Sequence, residues 1–118
     1  MRHRKLGRTA ADVGIVGLGT DYLEHVSRDT VISVVDEALD QGVNYIDLPA
    51  ISPGVGDNFG VALKNKRHSV MIAGHLGHAF KNGQSYITRD SAVCEKLCND
   101  LLTRLQTDYI DVLMLSCV

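Results

Sequence analysis

The sequence predicts an α/β fold of parallel strand–helix units preceded by a β-hairpin, and three observations carry that expectation. Short apolar runs alternate with segments of helical period along the chain, which is the pattern of βαβ units. The runs are continuously apolar rather than alternating, as in a parallel sheet covered on one face and packed on the other. The 118 residues are 45% hydrophobic and 22% charged, the composition of an ordinary folded domain. A chain of that size buries roughly two-thirds of its unfolded surface, so a core forms without staples.

Residues 2–14 read as the hairpin, with Gly7-Arg8-Thr9 near its turn. Ile15-Val16-Gly17-Leu18-Gly19 reads as a buried strand whose glycines allow close backbone approach at its end. Ser27 offers an N-cap, with Asp29 in the first turn behind it. Val31, Val34, Val35, Ala38 and Leu39 fall on one helical face, and Gly42 closes that helix. Val43 to Leu48 is the next apolar strand. Pro49, Pro53, Gly54 and Gly56 then read as a loop. A short helix is expected around Asp57 to Asn65, with Phe59, Ala62 and Leu63 on its buried side. Val70-Met71-Ile72-Ala73 forms a third strand, followed by a loop from Gly74 to Ser85. Thr88 is the expected cap of a long helix whose core stripe is Val93, Cys94, Leu97, Cys98, Leu101, Leu102 and Leu105. Tyr109 to Leu115 is the fourth strand.

The order is hairpin, then β-α-β-α-β-α-β, with right-handed crossovers into a parallel sheet. No helix follows Leu115, so residues 1–118 are expected to be one partial domain: hairpin 2–14, then β/α units over 15–118. The uncovered edges of such a sheet invite pairing or aggregation, and self-association is expected. Two architectures fit: a small open doubly wound sheet, or half of an eight-stranded barrel, which takes about 250 residues when complete.

Composition also excludes partners. Twelve basic against fourteen acidic residues give a net charge of −2, with no run of five like charges. Nucleic acid is not expected, although Arg2, Arg4, Lys5 and Arg8 make the N-terminus locally basic. No apolar run reaches the roughly 18 residues of a membrane span, and the polar first residues do not form a secretory signal. A soluble, cytoplasmic chain is the expectation. The three cysteines, Cys94, Cys98 and Cys117, are too few for a disulfide framework. Cys94 and Cys98 share a helical face and read as buried core thiols rather than ligands. Gly54-Val55-Gly56 lacks the third glycine or the Lys-Ser pair of a phosphate loop.

Four motifs narrow the choice. Arg4-Lys5-Leu6-Gly7-Arg8-Thr9 is followed by Gly17-Leu18-Gly19-Thr20. Then come Asp36-Glu37-Ala38-Leu39-Asp40-Gln41-Gly42-Val43-Asn44-Tyr45-Ile46-Asp47 and Gly60-Val61-Ala62-Leu63-Lys64. The last is Arg104-Leu105-Gln106-Thr107-Asp108-Tyr109-Ile110-Asp111-Val112-Leu113. In order and spacing, from Arg4 to Leu115, they resemble the N-terminal half of an aldo-keto reductase. The resemblance implies half of a (β/α)8 TIM barrel and an oxidoreductase that reduces aldehydes and ketones with NADP(H). It also implies a small carbonyl substrate and a cofactor lying across the C-terminal ends of the strands, with most of its contacts beyond residue 118.

In such reductases a tyrosine hydroxyl donates the proton, a lysine held by an aspartate lowers its pKa, and a histidine orients the carbonyl. That is general acid catalysis by a tuned phenol. Carried over by motif, the aspartate is Asp47. The tyrosine position holds Ser52, the lysine position His75 and the histidine position Ser116. The resemblance therefore implies a degenerate tetrad. An aliphatic hydroxyl does not replace a phenol near neutral pH. An imidazole, with a reference pKa of about 6.5, makes His75 a candidate substitute acid beside Asp47. Thr20 and Asp21 match positions near the nicotinamide ribose, with Asp47 as a third cofactor contact; a loop cap is the plainer role for the first two. Asp47 at a strand's C-terminal end reads as a pocket residue, or as a loop anchor. Tyr22 is the only tyrosine expected near the mouth that could replace the missing acid, with packing as its plainer role. No metal is expected: His75, His78, Asp47 and Cys117 make a chemically sensible set but match no recognised ligand spacing. The alternative to a reductase is a non-catalytic binding or association domain of the same family. Carbonyl reduction by the 118-residue chain itself is not expected.

Overall fold

The computed structural model describes residues 1–48 and 52–116. Strands β1 (His3–Lys5) and β2 (Asp12–Gly14) pair antiparallel as the opening hairpin. Its turn is closed by Leu6 N–H donating to Ala11 O at 2.9 Å and by the Thr9 hydroxyl donating to Leu6 O at 2.7 Å. Asn44 fastens the hairpin to the sheet: its Oδ1 accepts from Gly14 N–H and its Nδ2 donates to Asp12 O.

The main sheet has four parallel strands in the order β3 (Leu18–Gly19), β4 (Tyr45–Leu48), β5 (Met71–Leu76) and β8 (Val112–Leu115). A doubly wound sheet needs a reversal of strand order, and here the order simply follows the sequence. This is one arc of a barrel, unclosed, with β3 and β8 at its edges. The helices are α1 (Arg28–Asp40), α2 (Pro53–Ala62) and α3 (Ser91–Leu105), and α2 packs between the other two. Ile46, Leu48 and Ile72 point to the helices by strand alternation and are buried with Val31, Val35, Phe59, Leu63 and Leu105. The opposite face of β4 and β5 carries Tyr45, Asp47, Ala73 and His75.

Local chemistry explains the boundaries. Ser27 Oγ accepts from Thr30 N–H and starts α1; Gly42, at φ +84°, ends it as expected. Several expectations are corrected. The first strand has only two ladder residues, and Ile15 and Val16 are about half exposed rather than buried. The tight glycine there is Gly17, whose absent side chain admits Tyr45, not Gly19 at the strand end. α2 begins at Pro53, because proline has no N–H to lose in a first helical turn, so 53–56 is helix rather than loop.

The span read as a loop after Ala73 is ordered. β5 runs on to Leu76, and β6 (His78–Lys81) and β7 (Gln84–Ile87) form a second antiparallel hairpin. Asn82 and Gly83 take φ of 54° and 78°, the left-handed pair that a two-residue hairpin turn needs. The cap of α3 is Asp90, whose carboxylate accepts from Ala92 and Val93 N–H; Thr88 instead accepts from Asp90 N–H. Cys94 and Cys98 are free and half-buried rather than core, and Cys117 lies outside the described residues, as does Pro49. No helix among the described residues is long and apolar enough to cross a membrane.

Candidate active site

Parallel pairing puts the C-terminal ends of the four strands on one side of the sheet, the side on which barrel enzymes carry their chemistry. Gly19 pairs with Asp47, Asp47 with Ala73, and His75 with Met114, so side chains just beyond those pairs converge. His75 Nε2 lies 2.8 Å from Asp47 Oδ1, and His75 Nδ1 lies 3.2 Å from Ser116 Oγ. Three neighbouring strands thus deliver three polar side chains into one chain of hydrogen bonds.

Hydrogen bonds to backbone carbonyls hold the mounting. Thr20, just past β3, is buried and its hydroxyl donates to Asp47 O at 2.9 Å. Ser116 N–H donates to Leu76 O at 2.8 Å, which prolongs the β5–β8 ladder into the site. Gly77, at φ +91°, turns the chain where a side chain would press on Ser116 O and Thr88 O. The His75 side chain is 17% exposed and that of Asp47 40%, so the ring is shielded and the carboxylate is at the mouth.

The other residues proposed from sequence divide. Ser52 occupies the N-cap position of α2 and is half-buried, but its hydroxyl makes no capping bond. Asp21 opens a short 3-10 turn (Asp21–Leu23) and is exposed. Tyr22 is 96% exposed, so the packing role considered for it is wrong. His78 stands edge-on to His75, with ring centroids 6.5 Å apart. Among the described residues no group of three or more His, Cys, Asp or Glu is placed to hold a metal ion.

Two features were missed from sequence. Tyr45 shares the Asp47 face of β4, and burial, reinforced by the Asp47 charge, raises its phenol above 10.0. The i, i+2 spacing on a strand was the available signal. At the other end of the sheet, Asp111 Oδ2 accepts from Arg67 Nη2 at 2.7 Å and from Ile72 N–H at 2.9 Å. Arg67 also donates to Val70 O and Tyr109 O and lies 4.0 Å from the centre of the Tyr109 ring. This cluster ties the starts of β5 and β8 together, so the Asp111 of the fourth motif serves the fold, away from the mouth.

The arrangement can be compared with known proteins. The chain is 34% identical over 119 residues to the oxidoreductase YqkF of Bacillus subtilis, covering 98% of this chain and 39% of that protein. It is 31% identical to the aldo-keto reductase YhdN of the same species, covering 95% of this chain and 37% of the relative. It therefore spans about two-fifths of the length of these curated relatives. Among solved structures, an aldo-keto reductase from Pseudomonas aeruginosa superposes with a TM-score of 0.87 at 28% identity, over 96% of this chain and 46% of that one. The aldo-keto reductase from Klebsiella pneumoniae in complex with NADPH gives a TM-score of 0.71 at 26% identity, over 89% and 36% of the two chains. The model of the aldo/keto reductase family matches residues 13–118, and this chain belongs to that family.

Proposed function

We propose that this chain carries one part of the mouth of an NADP(H)-dependent reductase of aldehydes and ketones, and that it reduces no carbonyl alone. We propose also that it associates with a second copy of itself through β3 and β8. The observation that carries the reading is Asp47 at the C-terminal end of β4, bonded at 2.8 Å to the residue in the lysine position, His75. Family membership supports the reaction class, and the relative in complex with NADPH supports the cofactor.

The residues at the mouth fit one end of that cofactor. The carboxylates of Asp21 and Asp47 would accept hydrogen bonds from ribose hydroxyls, with buried Thr20, donating to Asp47 O, holding the backbone at Asp47. Two carboxylates repel a pyrophosphate, so these residues suit the nicotinamide ribose rather than the phosphates. When bound, the cofactor supplies hydride to the carbonyl carbon.

The chain's own residues then have to bring a proton to the carbonyl oxygen. Ser52 stands in the phenol position and holds its proton too tightly. His75, considered as a direct substitute acid, has both ring nitrogens engaged, by Asp47 and Ser116. A missing general acid costs a factor of about 10² to 10⁴. Lost positioning costs more, since the matched relatives bring about three-fifths of their length from elsewhere and well-oriented reactants gain roughly 7–11 kcal/mol. The test is NADPH oxidation with an activated aldehyde, beside NADPH binding by fluorescence. No turnover is expected; turnover by this chain would overturn the reading.

A further inference from the structure

We infer that Asp47, His75 and Ser116 form an orienter–base–nucleophile triad, and that Ser116 Oγ accepts an acyl group from small activated carboxylic esters. The inference is independent of the reductase reading, because it requires no nicotinamide.

The argument starts from the imidazole. An ionised carboxylate only accepts hydrogen bonds, so Asp47 Oδ1 at 2.8 Å fixes the ring hydrogen on Nε2. The lone pair is then on Nδ1, and the group facing it is the Ser116 hydroxyl at 3.2 Å. A hydroxyl within reach of a base, with that base oriented by a third group, is the signature of an activated nucleophile. The ring is used in the opposite sense from the serine-protease arrangement, where the carboxylate meets Nδ1. Either nitrogen carries the lone pair equally well, so the roles are kept.

Two replacements that individually remove reductase chemistry, His75 and Ser116, together with the retained Asp47 assemble this one. Lysine in place of His75 offers no lone pair when charged, and histidine in place of Ser116 offers no hydroxyl. The mounting on the ends of β4, β5 and β8 suits nucleophilic work, which needs the hydroxyl and its base held to within about half an ångström. Ser116 is half-buried, so its side chain is reachable from the mouth.

The same geometry sets the substrate class. The Ser116 N–H is already donated to Leu76 O, so it does not stabilise an oxyanion. Reaction therefore needs a good leaving group, such as a nitrophenolate. In the acylation step the bond from Ser116 Oγ to the acyl carbon forms, and the hydroxyl proton passes to His75 Nδ1. The bond from the acyl carbon to the leaving oxygen breaks, and His75 returns its proton to that oxygen or to solvent. In the second step His75 Nδ1 takes a proton from water as the water oxygen bonds to the acyl carbon. The bond from that carbon to Ser116 Oγ breaks, and His75 returns the proton to Oγ, which releases the carboxylic acid and restores the Ser116 hydroxyl.

The test uses the 118-residue chain with p-nitrophenyl acetate, reading nitrophenolate release and mapping acetyl groups by mass spectrometry. Site mapping separates Ser116 from the thiols and lysines that also react with this ester. The expected result is a burst of about one equivalent, with acetyl on Ser116, abolished by Ser116→Ala and slowed about 100-fold or more by His75→Ala. Asp47→Asn is expected to slow acylation and to move the ring hydrogen to Nδ1, read from the ¹⁵N shifts of His75. Acetyl found only on cysteine or lysine overturns the inference, as does a burst that survives Ser116→Ala. Unchanged His75 ¹⁵N shifts in Asp47→Asn overturn the role given to Asp47. Circular dichroism identifies any variant that fails to fold, and the unmodified chain then decides by its own acetylation map.

Discussion

Tyr45 shows how a single residue limits the chemistry open to this mouth. It stands two positions before Asp47 on β4, so both side chains leave the same face of the sheet. Burial first, and the Asp47 charge second, hold its phenol above 10.0. A proton donor needs the opposite shift, so Tyr45 does not stand in for the tyrosine replaced by Ser52. The raised value also makes a prediction about stability. The folded state holds the Tyr45 proton more tightly than the unfolded chain does, so its contribution is complete below the ordinary phenol value. It is lost as pH rises through the folded value. Melting temperature is expected to fall above about pH 10, and Tyr45→Phe should remove part of that fall. Superimposable pH profiles for the two proteins would contradict it. At this scale the sequence was legible where a residue sat on a strand. Asp47 and His75 were placed by motif and lie on adjoining strands, whereas Tyr22 sits in a turn whose facing no periodicity reveals, and it is exposed.

Elements were legible when their signals were hydrophobic period and capping, and illegible when glycine and proline had two meanings. α1 has a serine cap, a valine stripe and a closing glycine, all of which agree. Pro53 and the glycines after it suggest a loop, yet proline at a first helical position is favourable and α2 starts there. The glycines between 74 and 83 likewise suggested a loop and obscured the Asn82-Gly83 hairpin turn. The third motif has a packing reason that only the structure reveals. Gly60 lies where α2 meets α3, and a methyl group added there would penetrate the backbone carbonyl of Arg104. Backbone does not yield as a flexible side chain does. Gly60→Ala is therefore expected to destabilise by about 3 kcal/mol, although alanine is the better helix former. Chemical denaturation gives the value directly, and a variant as stable as the original would show that the helices separate without cost.

The whole molecule is governed by what its sheet leaves open. Strand order, parallel pairing and the helix-covered face all follow from β/α alternation, and so were legible. Edges are different, because what covers a strand is set by neighbours and not by its own residues. β8 lies at one edge with Leu113 46% exposed and Leu115 70% exposed, and β3 lies at the other. Beside β8, Leu76, Leu115, Cys94 and Cys98 form the apolar part of a groove of about 610 Å³ on the α3 side, which Arg89, Ser91, Glu95 and Asn99 also line. Unpaired backbone donors and acceptors next to apolar side chains form a template for another strand. In the association we propose, a second copy supplies one: its β3 beside this β8, and this β3 beside its β8, would continue the parallel order. That pairing needs a two-fold axis and closes on itself, which is the condition for a finite dimer rather than a fibre. We expect light scattering to find species larger than a monomer at concentrations on the order of tens of micromolar. Leu115→Lys puts a charge on the edge and in the groove, and should shift the population toward monomer while leaving the helix-face core untouched. A stable, cooperatively unfolding monomer of the unmodified chain at the same concentration would show that these edges protect themselves.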